Sequence, residues 1–156
     1  MRKPDSPRYK IPISVLVVIH TPALEVLLIE RNGWPGFWQS VTGSLAREDE
    51  TLAEAAVREV REETGIDAAR YPLKDWNIRN RFEIFARRRG RYAPGVTHNT
   101  ENVFGLTVPA PLPVVLAPEE HLQYQWLPWR EAAAKCISWS NREAIQLLPR
   151  MTGCAG

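Results

Sequence analysis

Residues 11–19, IPISVLVVI, constrain the fold more than any other stretch of the chain. Side chains on successive strand positions point to opposite faces of a sheet, so an apolar run with no polar face reads as a strand buried on both sides. Residues 25–30, EVLLIE, read as a second strand. Thr21 and Pro22 between the two mark a turn, which would make the pair a hairpin.

Residues 33–43, GWPGFWQSVTG, begin as a turn and continue as a short strand. Then the period changes, and Leu52, Ala55, Ala56 and Val60 recur at helical spacing. Thr51 with Glu54 fits a capping box, and Gly65 suits a left-handed cap, so a helix is expected over about 51–64. Residues 76–86 read as an aromatic strand, 87–101 as mostly loop, 102–108 as strand, and 123–127 as a short strand closed by Pro128. Pro109, Pro111, Pro113 and Pro118 enforce a connector. Ser140 with Glu143 offers a second capping box, opening a helix to about Leu148, and Trp126 and Trp139 are expected in the core. Strands interleaved with two helices suggest an α/β layered domain. At 156 residues one domain, 1–156, is expected, with 1–10 and 150–156 as loose ends.

A net charge of +2 gives no support to a dedicated nucleic-acid or membrane-surface binder, which would be clearly basic. No apolar run reaches the ~20 residues that span a bilayer. The start of the chain does not read as a secretory signal. Cys136 and Cys154 form no motif spacing and read as reduced thiols of a cytoplasmic protein. A small charged substrate is compatible with all of this, and no obligate protein partner is evident.

The densest chemistry lies at Arg58-Glu59-Val60-Arg61-Glu62-Glu63. Glu59, Glu62 and Glu63 stand at i, i+3 and i+4, so a helix puts them on one face with Cβ atoms about 5–6 Å apart. Crowded carboxylates suit a hard divalent cation, which prefers oxygen ligands. Glu54, Arg58 and Glu62 equally form an i, i+4 ladder of alternating sign, as a solvated helix face does.

The context decides between these. From Glu50 the chain runs seven residues to Arg58-Glu59-Val60, then Arg61, Glu62-Glu63, Thr64 and Gly65-Ile66. This resembles the signature of the Nudix hydrolases, G-x5-E-x7-R-E-U-x-E-E-x-G-U with U a bulky aliphatic residue, over residues 43–66. One departure is that six residues, not five, separate Gly43 from Glu50. Either the loop carries one extra residue or Asp49 takes the first acidic place. The insertion is the reading adopted, because loops accept length changes at small cost.

The resemblance implies an α/β/α sandwich with a mixed sheet between helices, and Mg2+-dependent hydrolysis of a nucleoside diphosphate linked to another moiety, with Mn2+ as a possible substitute. Carried over by position, it implies Glu59 and Glu63 as metal ligands, Glu62 as a further ligand or water-activating base, Arg58 as the residue orienting the set, and Glu50 as a structural or outer-sphere partner.

Further stretches are similar to one subfamily, the dihydroneopterin triphosphate pyrophosphohydrolases of bacterial folate synthesis. They are KIPISVLVVI from Lys10, FWQSVTGS from Phe37, FEIF from Phe82, RYAPGVTHNTE from Arg91, EHL from Glu120 and SWSNR from Ser138. This resemblance implies a substrate, dihydroneopterin triphosphate, that is cut to the monophosphate and pyrophosphate. It further implies Glu120, not Glu119, as a third metal ligand, with His121 a weaker candidate. Lys10 and Arg31 would meet the triphosphate or the substrate's side chain, and Thr42 would lie near the metal. Phe82, Glu83, Ile84 and Phe85 would line a pterin slot, with Glu83 reading the amino-imino edge, and Ser138 would touch substrate. The basic run Arg87, Arg88, Arg89 and Arg91 reads as a solvated edge that could steer a polyanion. The alternatives are a sanitising or broad nucleoside triphosphate pyrophosphatase, and a silent Nudix-like sensor.

Overall fold

The computed structural model describes residues 9–153, so Cys154 and the outermost parts of both expected loose ends lie outside the described residues. The strands are β1 (Ile13–His20), β2 (Glu25–Arg31), β3 (Trp38–Gln39), β4 (Val41–Ser44), β5 (Leu73–Glu83), β6 (His98–Thr107) and β7 (His121–Pro128). The helices are α1 (Leu52–Thr64), α2 (Trp129–Lys135), α3 (Trp139–Gln146) and the single turn α4 (Leu148–Met151).

The strands form one mixed seven-stranded sheet in the order β3-β2-β1-β6-β5, with β4 also pairing β1 and β7 pairing β2. β1 runs parallel to β6 and antiparallel to β2 and β4. The hairpin of β1 and β2 is joined only at His20 and Val26, because β4 takes the same edge of β1 between Ser14 and Val17. Seven of the eight β1 residues are buried, as a strand covered on both faces must be.

One face of the sheet packs Val15, Val17, Ile19 and Phe104 against Ala55, Ala56 and Val60 of α1. The other packs Leu16, Val18, Val103 and Trp76 against Ala132 and Ala133 of α2 and Ala144 and Ile145 of α3. Small residues on α1 let the helix lie close to the sheet, which brings its glutamates to the end of β4. Both halves of its capping box form, Glu54 N–H to Thr51 Oγ1 and Thr51 N–H to the Glu54 carboxylate, and Gly65 closes it at φ 75°.

Four expectations change. α2 went unseen: WREAAAK follows Pro128 with no side-chain cap to announce it. The second capping box does not form; α3 starts from Ser138, and Ser140 sits buried in its first turn, held there as Asn141 Oδ1 accepts the Ser40 N–H at 2.8 Å. Trp139 is 48% exposed and not a core residue, whereas Trp126 is partly buried and donates from its indole to the Leu112 carbonyl. β5 stops at Glu83, so Ile84 and Phe85 lie beyond the strand, and β6 begins at His98, within the expected loop.

Candidate functional site

Arg58 organises the acidic side of the site. Its Nε and Nη2 bind both oxygens of Glu50 at 2.8 and 3.0 Å. Nη2 also reaches the Ser44 carbonyl at 3.0 Å, and Nη1 reaches Glu59 at 2.8 Å and Glu62 at 3.2 Å. All five donors of the guanidinium are thus used. Glu50, buried, also accepts the Ala46 N–H at 2.8 Å, which pins the loop back onto the helix. The Arg58 guanidinium holds the Glu50 carboxyl below its usual range. Asp49 is exposed and pairs with Arg47, whereas Glu50 is the carboxylate that meets the helix, and the extra residue is taken up in the loop.

Glu59 lies against the backbone of Gly43. A Cβ at that position would land on the Glu59 carboxylate, so the close approach requires glycine. One turn further along α1, Glu63 is 2% exposed. Burial first, and then the Glu59 charge, push its carboxyl well above the usual range; burial also raises Glu59. His121 Nε2 stands 3.3 Å from Glu63 Oε1. Burial, aided by Arg31, lowers His121 to about 4, so the ring is neutral and the contact is not an ion pair at neutral pH. Glu62, by contrast, faces solvent with 56% of its side chain exposed.

One ligand atom from each of Glu63, Glu120 and His121 falls within 4.8 Å of the others. Glu63 Oε2 and His121 Nδ1 are buried without a hydrogen-bond partner. Buried polar atoms are rarely left so, and carboxylate oxygens are what a hard divalent cation takes, so these residues fit such an ion.

Cations gather opposite the carboxylates. Lys10 donates its backbone N–H to the Arg91 carbonyl at 2.8 Å and pairs with Tyr92 in a bridge. Partial desolvation, then Arg91, Arg88 and Arg31, lower its ammonium, and Glu59 opposes them. Arg31 is lowered the same way, by desolvation and then by Arg88 and Arg91, with Glu63 and Glu120 opposing. Four like charges held together beside the carboxylates Glu59, Glu63 and Glu120 make a surface complementary to a polyanion that brings its own cation.

The remaining expected residues divide. Thr42 and Gly43 lie on opposite faces of β4: Thr42 pairs with Leu16 on the α3 side and accepts from Gln39 Nε2 at 3.3 Å. Phe82, partly buried, pairs with Asn99 across β5 and β6. Ser138 Oγ is 3.2 Å from Ser140 Oγ. Ile84 is buried, and Phe85 is 60% exposed. Glu83 is not gathered in with them; it is exposed and bound to Arg89 at 3.2 Å. In sequence Arg88 and Arg91 read as a solvated edge that could steer a polyanion, without a fixed place in the site. Their place beside Lys10 and Arg31 comes from the Lys10–Tyr92 bridge, which no local pattern announces.

The chain matches the NUDIX domain model over residues 10–148. It is 50% identical over 141 residues to the dihydroneopterin triphosphate diphosphatase of Escherichia coli, covering 88% of this chain and 92% of that one. It is 40% identical over 142 residues to the Haemophilus influenzae protein of the same name, covering 89% and 88%. Among solved structures, the E. coli dihydroneopterin triphosphate pyrophosphohydrolase superposes with a TM-score of 0.80, at 50% identity, over 88% of this chain and 94% of that one.

Proposed function

The chain belongs to the NUDIX family of hydrolases, and from that premise we propose that it hydrolyses 7,8-dihydroneopterin triphosphate to dihydroneopterin monophosphate and pyrophosphate, a step of folate biosynthesis. Nudix hydrolases act on small phosphate-bearing molecules and generally use a divalent metal. What carries the narrower reading is the 50% identity, over nearly the whole chain, to a diphosphatase of that name. The cation cluster facing Glu63 and Glu120 supports a polyphosphate as the charged part of the substrate.

In this reading Glu59, Glu63 and Glu120 hold Mg2+, with Mn2+ able to substitute. When bound, the ion supplies neutralisation of charge on the phosphate oxygens. Lys10 and Arg31 bind the triphosphate. Arg58 holds Glu59 and Glu62 in register through its hydrogen bonds. Glu62, the exposed carboxylate of the set, accepts a proton from the attacking water. A phosphorus–oxygen bond to that water forms, the anhydride bond breaks, and pyrophosphate leaves. Thr42, Phe82, Ile84, Phe85 and Ser138 line the path of the pterin and its side chain. Glu83 joins them on releasing Arg89. Residues 1–156 work as one domain in the cytoplasm, on a small molecule, without nucleic acid, membrane or an obligate protein partner.

Pyrophosphate release with Mg2+, compared as kcat/KM for dihydroneopterin triphosphate, dGTP, dATP and 8-oxo-dGTP, tests this. A clear preference for the pterin is expected. Equal or better turnover of a purine nucleotide would remove the pterin assignment, and no turnover of any of them would favour a sensor.

A further inference from the structure

Trp34 has no part in the chemistry described so far. It sits in the turn 33–36, GWPG, between Gly33 and Gly36, each at φ 84°. Nothing lies within 4 Å of where a Cβ would stand at either glycine, so the turn conformation alone asks for them. The turn presents a half-buried indole to a patch built from distant segments. The Trp34 ring is 4.6 Å from the Phe37 ring and 6.3 Å from the Phe85 ring. The Arg87 guanidinium stands 4.5 Å over the Trp34 ring and that of Arg88 6.0 Å.

This patch is continuous with the cation cluster. Arg31 stands 5.6 Å over the Phe37 ring and is also within electrostatic reach of Glu63 and Glu120. From the acidic group the contacts therefore run Arg31, Phe37, Trp34, Phe85. Arg88 belongs to both the cation cluster and the aromatic patch. A molecule with phosphates at one end and a flat ring at the other meets matching chemistry along that line. Exposed cation–π pairs are weak, and stacking of a flat base on an aromatic face is stronger, so a ring can displace a guanidinium from an indole face.

We propose that Trp34, together with Phe85, is the stacking platform for the substrate's flat heterocycle, and that Arg87 covers the indole face until the heterocycle arrives. The inference rests on the reading of the substrate as a heterocycle-bearing triphosphate. It makes Trp34 a specificity-determining residue that acts on binding and leaves the chemical step alone.

Steady-state kinetics of Trp34→Ala, Trp34→Phe and Arg87→Ala on dihydroneopterin triphosphate test it, with inhibition by inorganic tripolyphosphate as the ringless probe. If the wild-type chain prefers a purine triphosphate, the pterin assignment fails and the same variants are measured on that nucleotide. Trp34→Ala is expected to raise KM about tenfold or more with kcat little changed. Trp34→Phe restores most of the loss, Arg87→Ala lowers KM, and the inhibition constant of tripolyphosphate stays constant in all three. An unchanged KM in Trp34→Ala overturns the proposal. So does a parallel weakening of tripolyphosphate inhibition, which would mean that Trp34 only steadies Arg31. A raised KM in Arg87→Ala overturns the displacement of Arg87 by the ring.

Discussion

The two sides of the site are built in opposite ways. The acidic side comes mostly from one short stretch, residues 43–63, tied by hydrogen bonds of 2.8 to 3.2 Å converging on Arg58, with Glu120 and His121 added at the start of β7. The opposite rim draws on Lys10, Arg31, Trp34 and the segment 85–91, and is held by ring and cation contacts of 4.5 to 6.3 Å. Groups that stabilise a transition state must be fixed to a fraction of an ångström, and short charge-assisted bonds do that. A rim that recognises a ring only has to offer area and charge. The contrast locates chemistry in the rigid half and selectivity in the looser one.

Removing the centre of the rigid half tests this contrast most severely. Glu63→Ala is expected to lower kcat by about a thousandfold, since charge neutralisation in such sites is worth several kcal/mol. The metal-free variant is expected to melt above the metal-free parent at pH 7 to 8, because a buried, crowded carboxylate has been removed. A Glu63→Ala variant with near-normal turnover in the pyrophosphate assay would break the comparison.

The pH profile of the metal-free parent sharpens it. Glu63 is raised above the ordinary value of 4.5, so the folded chain holds a proton that the unfolded chain has lost. Its contribution to stability is present below pH 4.5 and is lost as pH rises through the raised value. Glu50 is lowered, so its contribution is present above pH 4.5 and is lost as pH falls. Melting with a chelator is therefore expected to show the Mg2+-dependent gain growing from pH 5 to pH 8. A gain that shrinks over that range would contradict the placement of Glu63.

On the rim, Arg88→Ala is expected to raise KM about tenfold and to weaken the salt dependence of kcat/KM, with kcat little changed. A fall in kcat with constant KM would assign Arg88 to the rigid half. The smallest effect belongs to Asp49→Ala. Its pair with Arg47 is exposed, and such pairs contribute about 0.5 kcal/mol or less. Glu50→Ala, one position on from Asp49, should instead cost about 3 kcal/mol by leaving Arg58 without its main partner. Urea unfolding of the two variants that ranks them the other way would reassign the first acidic place to Asp49.

Local signals read well where the structure obeys local physics. α1 carries its own start, stop and apolar stripe, and the caps at Thr51 and Gly65 form as read. The unbroken apolar run of β1 gave its double burial directly. Signals failed where packing overrides them. Ser140 has the residues of a cap, but the anchoring of Asn141 onto Ser40 sets the start of α3 two residues earlier. α2 has no cap and is helical because Ala132 and Ala133 fit against the sheet. Glu83 reads as a ligand in a strand and is met at an exposed position by Arg89, from a turn whose path the sequence does not state.

What the sequence determined by itself was the family, the layered α/β class and the acidic helix, because each rests on neighbours within one or two helical turns or on strand periodicity. What only the tertiary structure decided was which far residues face that helix: His121 against Glu63, Lys10 beside Arg91, and Trp34 against Phe85. Those contacts follow from strand order and loop path. Chain closure over long separations is set by the packing of the whole sheet and leaves no periodic trace in the residues that meet.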